Sequence, residues 1–248
     1  MLKTTGVVLA AWVAAGAGLA APHPLRAPKQ VEAPFVGCRS DGQAGPEPAP
    51  KAPTHIPKLP PPPASRLAWY ESAYGGVLAP RGWHCIGLEG SNGWFLMVTP
   101  EDHGQRPFDA RLTGPGIEIS ESAGDTSGRF AAAQIAARLF PSRRVFVDRV
   151  MAEGLMPQSD FVSGPFPRDR IQRQGPDAVT FETPANTDGM GTKSRFVKSA
   201  DPIQGLAMMD AENDATVLVV RLAPAMRDLA SVIIDTAKTT QPSRASPG

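Results

Sequence analysis

Few residues of this chain have the type and spacing to do chemistry. Its histidines are His23, His55, His84 and His103, and its cysteines are Cys38 and Cys85. His84 falls inside an apolar run and His103 follows Asp102, so either would serve as a general base if a serine or carboxylate stood within hydrogen-bond reach. No spacing of His, Cys, Asp or Glu matches a zinc set, and no metal or other cofactor is expected. Asp125-Thr126-Ser127-Gly128 approaches the Asp-Thr/Ser-Gly signature of aspartic proteases, in which two carboxylates share one proton. Its glycine comes one residue late, and there is no second copy. The segment reads instead as the start of a helix, where free N–H groups beside Arg129 would suit an anion. Gly189-Met190-Gly191-Thr192-Lys193-Ser194 has the glycines and lysine of a phosphate-binding loop without the Gly-Lys-Ser/Thr adjacency, and reads as a mobile loop between strands. Glu89-Gly90-Ser91-Asn92-Gly93 lacks the first glycine of a nucleophile elbow and reads as a hairpin turn. Asp125, Ser127, Arg129, Lys193 and Arg195 remain as candidate binding residues, and no catalytic residue is assigned.

The ends of the chain limit where such residues can work. Lys3 precedes an apolar run rich in Ala and Gly, from Gly6 to Ala21, too short to span a bilayer. Gly18 and Ala20 match the spacing a signal peptidase reads, so residues 1–20 are expected to be a secretory signal peptide and the protein periplasmic or secreted, with no transmembrane segment after cleavage. Removal of that peptide takes Lys3 and no acid, so 24 of the 25 basic residues face 24 acidic ones. A neutral chain with no basic run longer than Arg143-Arg144 is not a nucleic-acid binder, which must neutralise several phosphates. Export also gives the cysteines a meaning: an even pair bound for an oxidising compartment is expected to form a Cys38–Cys85 disulfide.

Residues 21–64 carry Pro22 to Pro63, thirteen of the twenty-seven prolines, with few aromatic or branched side chains. Such a stretch cannot offset its own ordering entropy and reads as a proline-rich arm, with Pro60 to Pro63 in polyproline II. The disulfide would draw Phe35 to Cys38 onto the body and leave residues 40–64 as a surface loop.

A single domain is expected over residues 65–239, followed by a disordered tail at 240–248. Ser65 suits the N-cap of a short helix with Leu67, Tyr70 and Tyr74 on one face, stopped by Gly75-Gly76. The densest signal lies in Ala79 to Pro100. With Asn92-Gly93 central to a type I′ turn, Glu89 would face Leu96 and Gly87 would face Val98. Trp83, Cys85, Trp94, Leu96 and Val98 would then share one face, and His84, Ile86, Leu88, Phe95 and Met97 the other. Two apolar faces place this hairpin in the middle of a covered sheet. A short strand at 117–120 follows, then a largely buried helix from Arg129, and a second helix capped by Ser142. Further strands are read at 170–174, 178–183, 194–198, 203–209 and 216–222. Pro224 opens a closing helix with Met226, Leu229, Ile233 and Ala237 inward. Strands and helices in blocks, without regular alternation, define an α+β fold whose central antiparallel sheet is covered by helices.

Gly82-Trp83-His84-Cys85-Ile86-Gly87 with Gly90-Ser91-Asn92-Gly93, Thr126-Ser127-Gly128-Arg129-Phe130, and Thr183-Pro184-Ala185-Asn186-Thr187 with Gly191-Thr192-Lys193-Ser194-Arg195 resemble a family of uncharacterised exported proteins of Gram-negative bacteria. That resemblance implies no activity and carries over no catalytic residue. The order of strands and the closing helix are also similar to the Mog1/PsbP-like sandwich, a likeness of fold alone. Together these readings point to a non-enzymatic domain of the cell envelope that binds a small ligand or a protein. The alternatives are an envelope hydrolase using His84 or His103 with a nearby Ser or Asp, and a structural envelope component.

Overall fold

A computed structural model describes Met1 and residues 29–43, 45–104 and 106–240. The body of the expected signal peptide, His23 and the tail from residue 241 lie outside the described residues. Thirteen strands and four α-helices make up the described chain. The strands are β1 (Val31–Glu32), β2 (Phe35–Gly37), β3 (Ser40–Gly42), β4 (Lys58–Leu59), β5 (Leu67–Glu71), β6 (Gly76–Pro80), β7 (His84–Gly90), β8 (Gly93–Thr99), β9 (Gly116–Ser122), β10 (Arg170–Arg173), β11 (Ala178–Thr183), β12 (Ile203–Met209) and β13 (Ala215–Arg221). The helices are α1 (Pro61–Arg66), α2 (Arg129–Leu139), α3 (Arg144–Ala152) and α4 (Ala230–Thr240), with short 3-10 turns between.

Eight strands form one sheet in the order β10-β11-β12-β13-β9-β8-β7-β3. All its pairings are antiparallel except β3 on β7. The fold is α+β, as the block pattern implies. On one side the sheet packs with β5, β6 and α4 around Tyr70, Leu78, Trp94, Leu96, Ile119 and Ile233. On the other it packs with α2 and α3 around Met97, Ala132, Ala136, Phe146, Val217 and Val219. In α2 the sheet-facing residues are alanines, Ala132, Ala133 and Ala136, all fully buried, and small side chains let the helix axis lie close to the strands. Among the described residues no helix is long and apolar enough to cross a membrane.

The 79–100 hairpin is central and covered on both faces, with the face assignment expected from sequence. Its turn differs. Glu89 pairs with Trp94 and Gly90 with Gly93, so Ser91 and Asn92 are the turn residues. Neither has the positive φ that a type I′ turn demands. Gly93 serves the neighbouring pairing instead: at φ 128° its Cα lies so close to β9 that a Cβ would stand 1.9 Å from the Glu121 carbonyl oxygen. A register shift of two residues leaves every side chain on its expected face, because the side-chain period of a strand is two.

Residues 61–71 reverse the expected order. The helix starts within the proline run, with Pro61 at its first position, and Leu67–Glu71 is a strand. Leu67, Tyr70 and Tyr74 mimic helical spacing, but all of β5 is buried, flanked by parallel β2 and antiparallel β6. A strand covered on both faces shows no alternation, and its aromatic residues suit the extended state. Polyproline II is therefore confined to less of Pro60–Pro63 than expected; Pro at the first helical position loses no helix bond.

The proline-rich arm is likewise more ordered than composition suggests. Its β2 joins the three-stranded sheet and its β3 closes the β7 edge of the large one. Between these two strands, Cys38 is bonded to Cys85. Further along, Thr54 donates both its N–H and its hydroxyl to buried Glu71 at 2.9 and 2.6 Å, and Trp69 Nε1 donates to the same carboxylate at 2.6 Å. Backbone pairing and a shared carboxylate hold a segment that has little apolar surface of its own.

Two smaller expectations also change. Residues 194–198 form no strand, only a parallel bridge from Phe196 to Leu112. Ser142 does not cap α3; Pro141–Arg143 is a 3-10 turn leading into it.

Candidate functional site

One strand of the large sheet breaks the pattern of its neighbours. On β9, Ile117 and Ile119 join the core beneath β5, β6 and α4, so Glu118, Ser120 and Ser122 alternate onto the α2 side. Their neighbours there are apolar: Glu118 lies between Met97 and Val219, Ser120 between Phe95 and Val217. These hydroxyl and carboxyl groups floor a cleft of about 190 Å³ between α2 and the turn at 190–194. On α2, Ala131, Gln134, Ile135 and Arg138 line it, a stripe at helical spacing beside the alanine face. Phe166, Met190, Lys193 and Ser194 close the opposite wall. A second cleft of about 600 Å³, lined by Phe95, Phe108 and Arg195, meets the first at Ser122 and Lys193.

The wall that carries Lys193 and Arg195 is built by a polar network. Asp169 accepts from Thr183 Oγ1 at 2.8 Å and from the Met190 N–H at 2.7 Å, and Thr183 Oγ1 accepts from the Gly191 N–H at 3.0 Å. Burial pushes the Asp169 carboxyl up despite these bonds. Glycine is required at both ends of this close approach, since a Cβ on Gly189 would fall 2.1 Å from Asp169 Oδ1 and one on Gly191 2.6 Å from Ile203. The glycines that suggested a mobile phosphate loop therefore pack a 3-10 turn, Met190–Lys193, onto β11. Met190 and Gly191 are buried, while Lys193 is exposed at the cleft.

Glu118 is 3 % exposed and meets Arg195 at 3.5 Å, with the Arg195 N–H 3.4 Å from its other oxygen. The Arg195 guanidinium stacks on Phe95, 3.4 Å from the ring centroid, and donates through Nε to the Pro107 carbonyl at 3.1 Å. Burial pushes the Glu118 carboxyl up from its ordinary 4.5, although Arg195 pulls it down. Burial likewise lowers Arg195, against the pull of Glu118. Desolvation outweighs attraction here, as for many buried pairs. A carboxyl whose folded-state pKa lies above its unfolded value binds more protons folded than unfolded, so its contribution declines as pH rises from about 4.5 through the folded pKa. Asp169 and Asp210 are raised too and add the same sign. Glu118→Gln is accordingly expected to flatten the fall in stability as pH rises above about 4.5 relative to wild type, read from urea midpoints; identical pH slopes would refute it.

The structure thus unites Lys193 and Arg195 and leaves the other sequence candidates apart. Arg129 is spent on Glu153, bonding it through Nε at 2.9 and 3.0 Å and through Nη2 at 2.6 Å, and its Nη1 donates to the Thr126 carbonyl. Those bonds lower Glu153 and raise Arg129. The Arg129 N–H is also used, by the Thr126 carbonyl. Ser127 Oγ lies 3.2 Å from Ser91 Oγ in the β7–β8 turn, at the rim of the larger cleft, and Asp125 is exposed. His84 is exposed and His103 half-buried; neither lines these two clefts. Among the described residues no group of His, Cys, Asp and Glu is arranged to hold a metal ion.

Glu118, Ser120, Ser122 and Arg138 escaped the sequence reading. The signal was present in Gly116-Ile117-Glu118-Ile119-Ser120-Glu121-Ser122, whose alternation marks a strand polar on one face. Nothing local reveals that this polar face is enclosed by α2. No family model, curated protein or solved structure matches the chain, so the Mog1/PsbP-like expectation gains no support from a known structure.

Proposed function

We propose that this is an exported, non-enzymatic ligand-binding domain of the cell envelope, periplasmic or secreted, whose ligand occupies the cleft floored by Glu118, Ser120 and Ser122. The observation that carries the reading is a polar column on a central strand, enclosed by a helix and flanked by Met97, Phe95, Val217 and Val219. A sheet face built only for stability would be apolar there, since burying hydroxyl and carboxyl groups costs free energy unless they are hydrogen-bonded. Cysteine usage supports the exported setting, because a bridged pair persists in an oxidising compartment.

The test is native mass spectrometry of the full chain purified from an exporting host, with Ser120→Leu as comparison. Leucine at 120 fills the cleft beside Phe95 and Val217 and removes a hydroxyl. Wild type should retain a small-molecule adduct that Ser120→Leu has lost, while unfolding midpoints differ by less than about 1 kcal/mol. An adduct that survives in Ser120→Leu would place the ligand elsewhere.

A further inference from the structure

Resting on that reading, the geometry points to the class of ligand: we propose that the smaller cleft takes a small aromatic or branched carboxylate, its charge between Arg138 and Lys193 and its body against Phe166. Two cations are gathered on one ring. Arg138 Cζ lies 4.1 Å and Lys193 Nζ 5.7 Å from the Phe166 centroid. Cations stacked on one ring repel each other, and an anion set between them relieves that repulsion. Among the described residues no Asp or Glu stands within 4.0 Å of either, and the Asp169 carboxylate attracts Arg138 only from beyond that range. Arg138 Nη1 makes a long 3.3 Å bond to the Gly164 carbonyl, and Arg195 is already held by Glu118, Phe95 and Pro107.

The acids around the cleft offset this charge only in part: Asp169 attracts Arg138 from beyond ion-pair distance, and its oxygens are taken by Thr183 and Met190. Glu118 pairs with Arg195, and Asp160 is exposed in the lining. Glu121 and Glu89 line the larger cleft rather than this one, and by strand alternation point to the far face of the sheet, where Glu89 acts on Tyr74. The rest of the wall sets the body of the ligand. Ile135, Met190, Val217 and the Phe166 ring are apolar and close enough to clasp a ring or a branched chain, while Ser120 and Gln134 offer hydrogen bonds. About 190 Å³ admits a metabolite and not a polymer. Lysine at the open side and arginine on the rigid helix divide the work, since arginine's fixed fork orients a carboxylate and lysine adds a mobile charge.

Calorimetric titration of the full chain with phenylacetate, its neutral isostere phenylacetamide and inorganic phosphate tests this. Phenylacetate is expected to bind at least about tenfold more tightly than the amide, more weakly as salt is raised, and phosphate not to compete. Lys193→Met, a change at an exposed position, should bring phenylacetate down to the level of the amide, and Lys193→Arg should keep most of the difference. Equal affinity for acid and amide, effective competition by phosphate, or an unchanged Lys193→Met would overturn the carboxylate class. So would the absence of binding by any of these probes. In each of those cases loss of the co-purified adduct in Ser120→Leu would still stand for the cleft itself, so the two claims fail separately.

Discussion

Cys38→Ala/Cys85→Ala is expected to lower the stability of the protein by about 4 kcal/mol, and its thermal midpoint by about 10 °C. The bridge closes a sequence separation of 47 residues, and the entropy of an unfolded chain so constrained gives that magnitude. Its position in the fold argues for the full effect. Cys38 lies between β2 and β3, each three residues long, each paired in parallel at the edge of a different sheet. Strands that short, with only a single antiparallel bridge from Ser40 to Glu47 beside them, hold weakly by backbone pairing. The Thr54 bonds to Glu71 depend on the same segment staying in place. Loss of the bridge should therefore show twice: in denaturant midpoints, and in faster amide exchange over residues 29–59 than over β8 and β9. A midpoint shift worth less than about 1 kcal/mol, with unchanged exchange in the arm, would show that the edge pairings suffice by themselves.

Much of this framework was legible in the sequence because it rests on local rules. Alternation and apolar runs identified β7, β8, β11, β12 and β13, cysteine arithmetic identified the bridge, and the closing helix followed from Ile233 and Ala237, although the stretch from Pro224 to Leu229, expected to open it, is a 3-10 turn. What escaped depends on distant partners. β5 is a strand because β2 and β6 flank it, and β2 reaches it from residues whose composition is that of a linker. Gly189 and Gly191 were noticed for a phosphate-loop likeness, yet their small size serves Asp169, Thr183 and Ile203. Lys193, two residues before Arg195, was thus selected by a motif that the fold does not use. Both line the cleft because a buried network places their turn against β9 and α2. Glu118 and the two serines went unnoticed because enclosure is a tertiary fact, while polarity on one face of a strand is common.

Arg221 is the residue from which the second large effect is expected, and it links the frame to the cleft. It ends β13 opposite Gly116 and is 1 % exposed. No carboxylate meets it among the ion pairs of the described residues. Its Nη1 donates to the Leu112 carbonyl at 2.9 Å and its Nη2 to the Val197 carbonyl, while its Nε finds no partner. Phe196 lies under the guanidinium, 5.0 Å away, and bridges to Leu112. Burial lowers the Arg221 pKa, so holding its charge there has a cost that these carbonyl bonds and the attraction of Asp201 offset. In Arg221→Met the charge-assisted bonds to the Leu112 and Val197 carbonyls and a longer one to the Gly114 carbonyl vanish, while the guanidinium's own desolvation is relieved. The net loss is about 3 kcal/mol. Arg221→Lys keeps the charge but cannot span both carbonyls, so it should recover less than half of that loss. The same substitution should loosen residues 107–112 and 195–197 together, the segments that hold Arg195 between Pro107 and Glu118. Ligand affinity should therefore fall in Arg221→Met although the side chain lines neither cleft, and amide exchange at Leu112 and Val197 should rise first. If the midpoint falls while exchange at those two amides stays at the wild-type rate, the staple acts elsewhere and the link to the cleft is refuted.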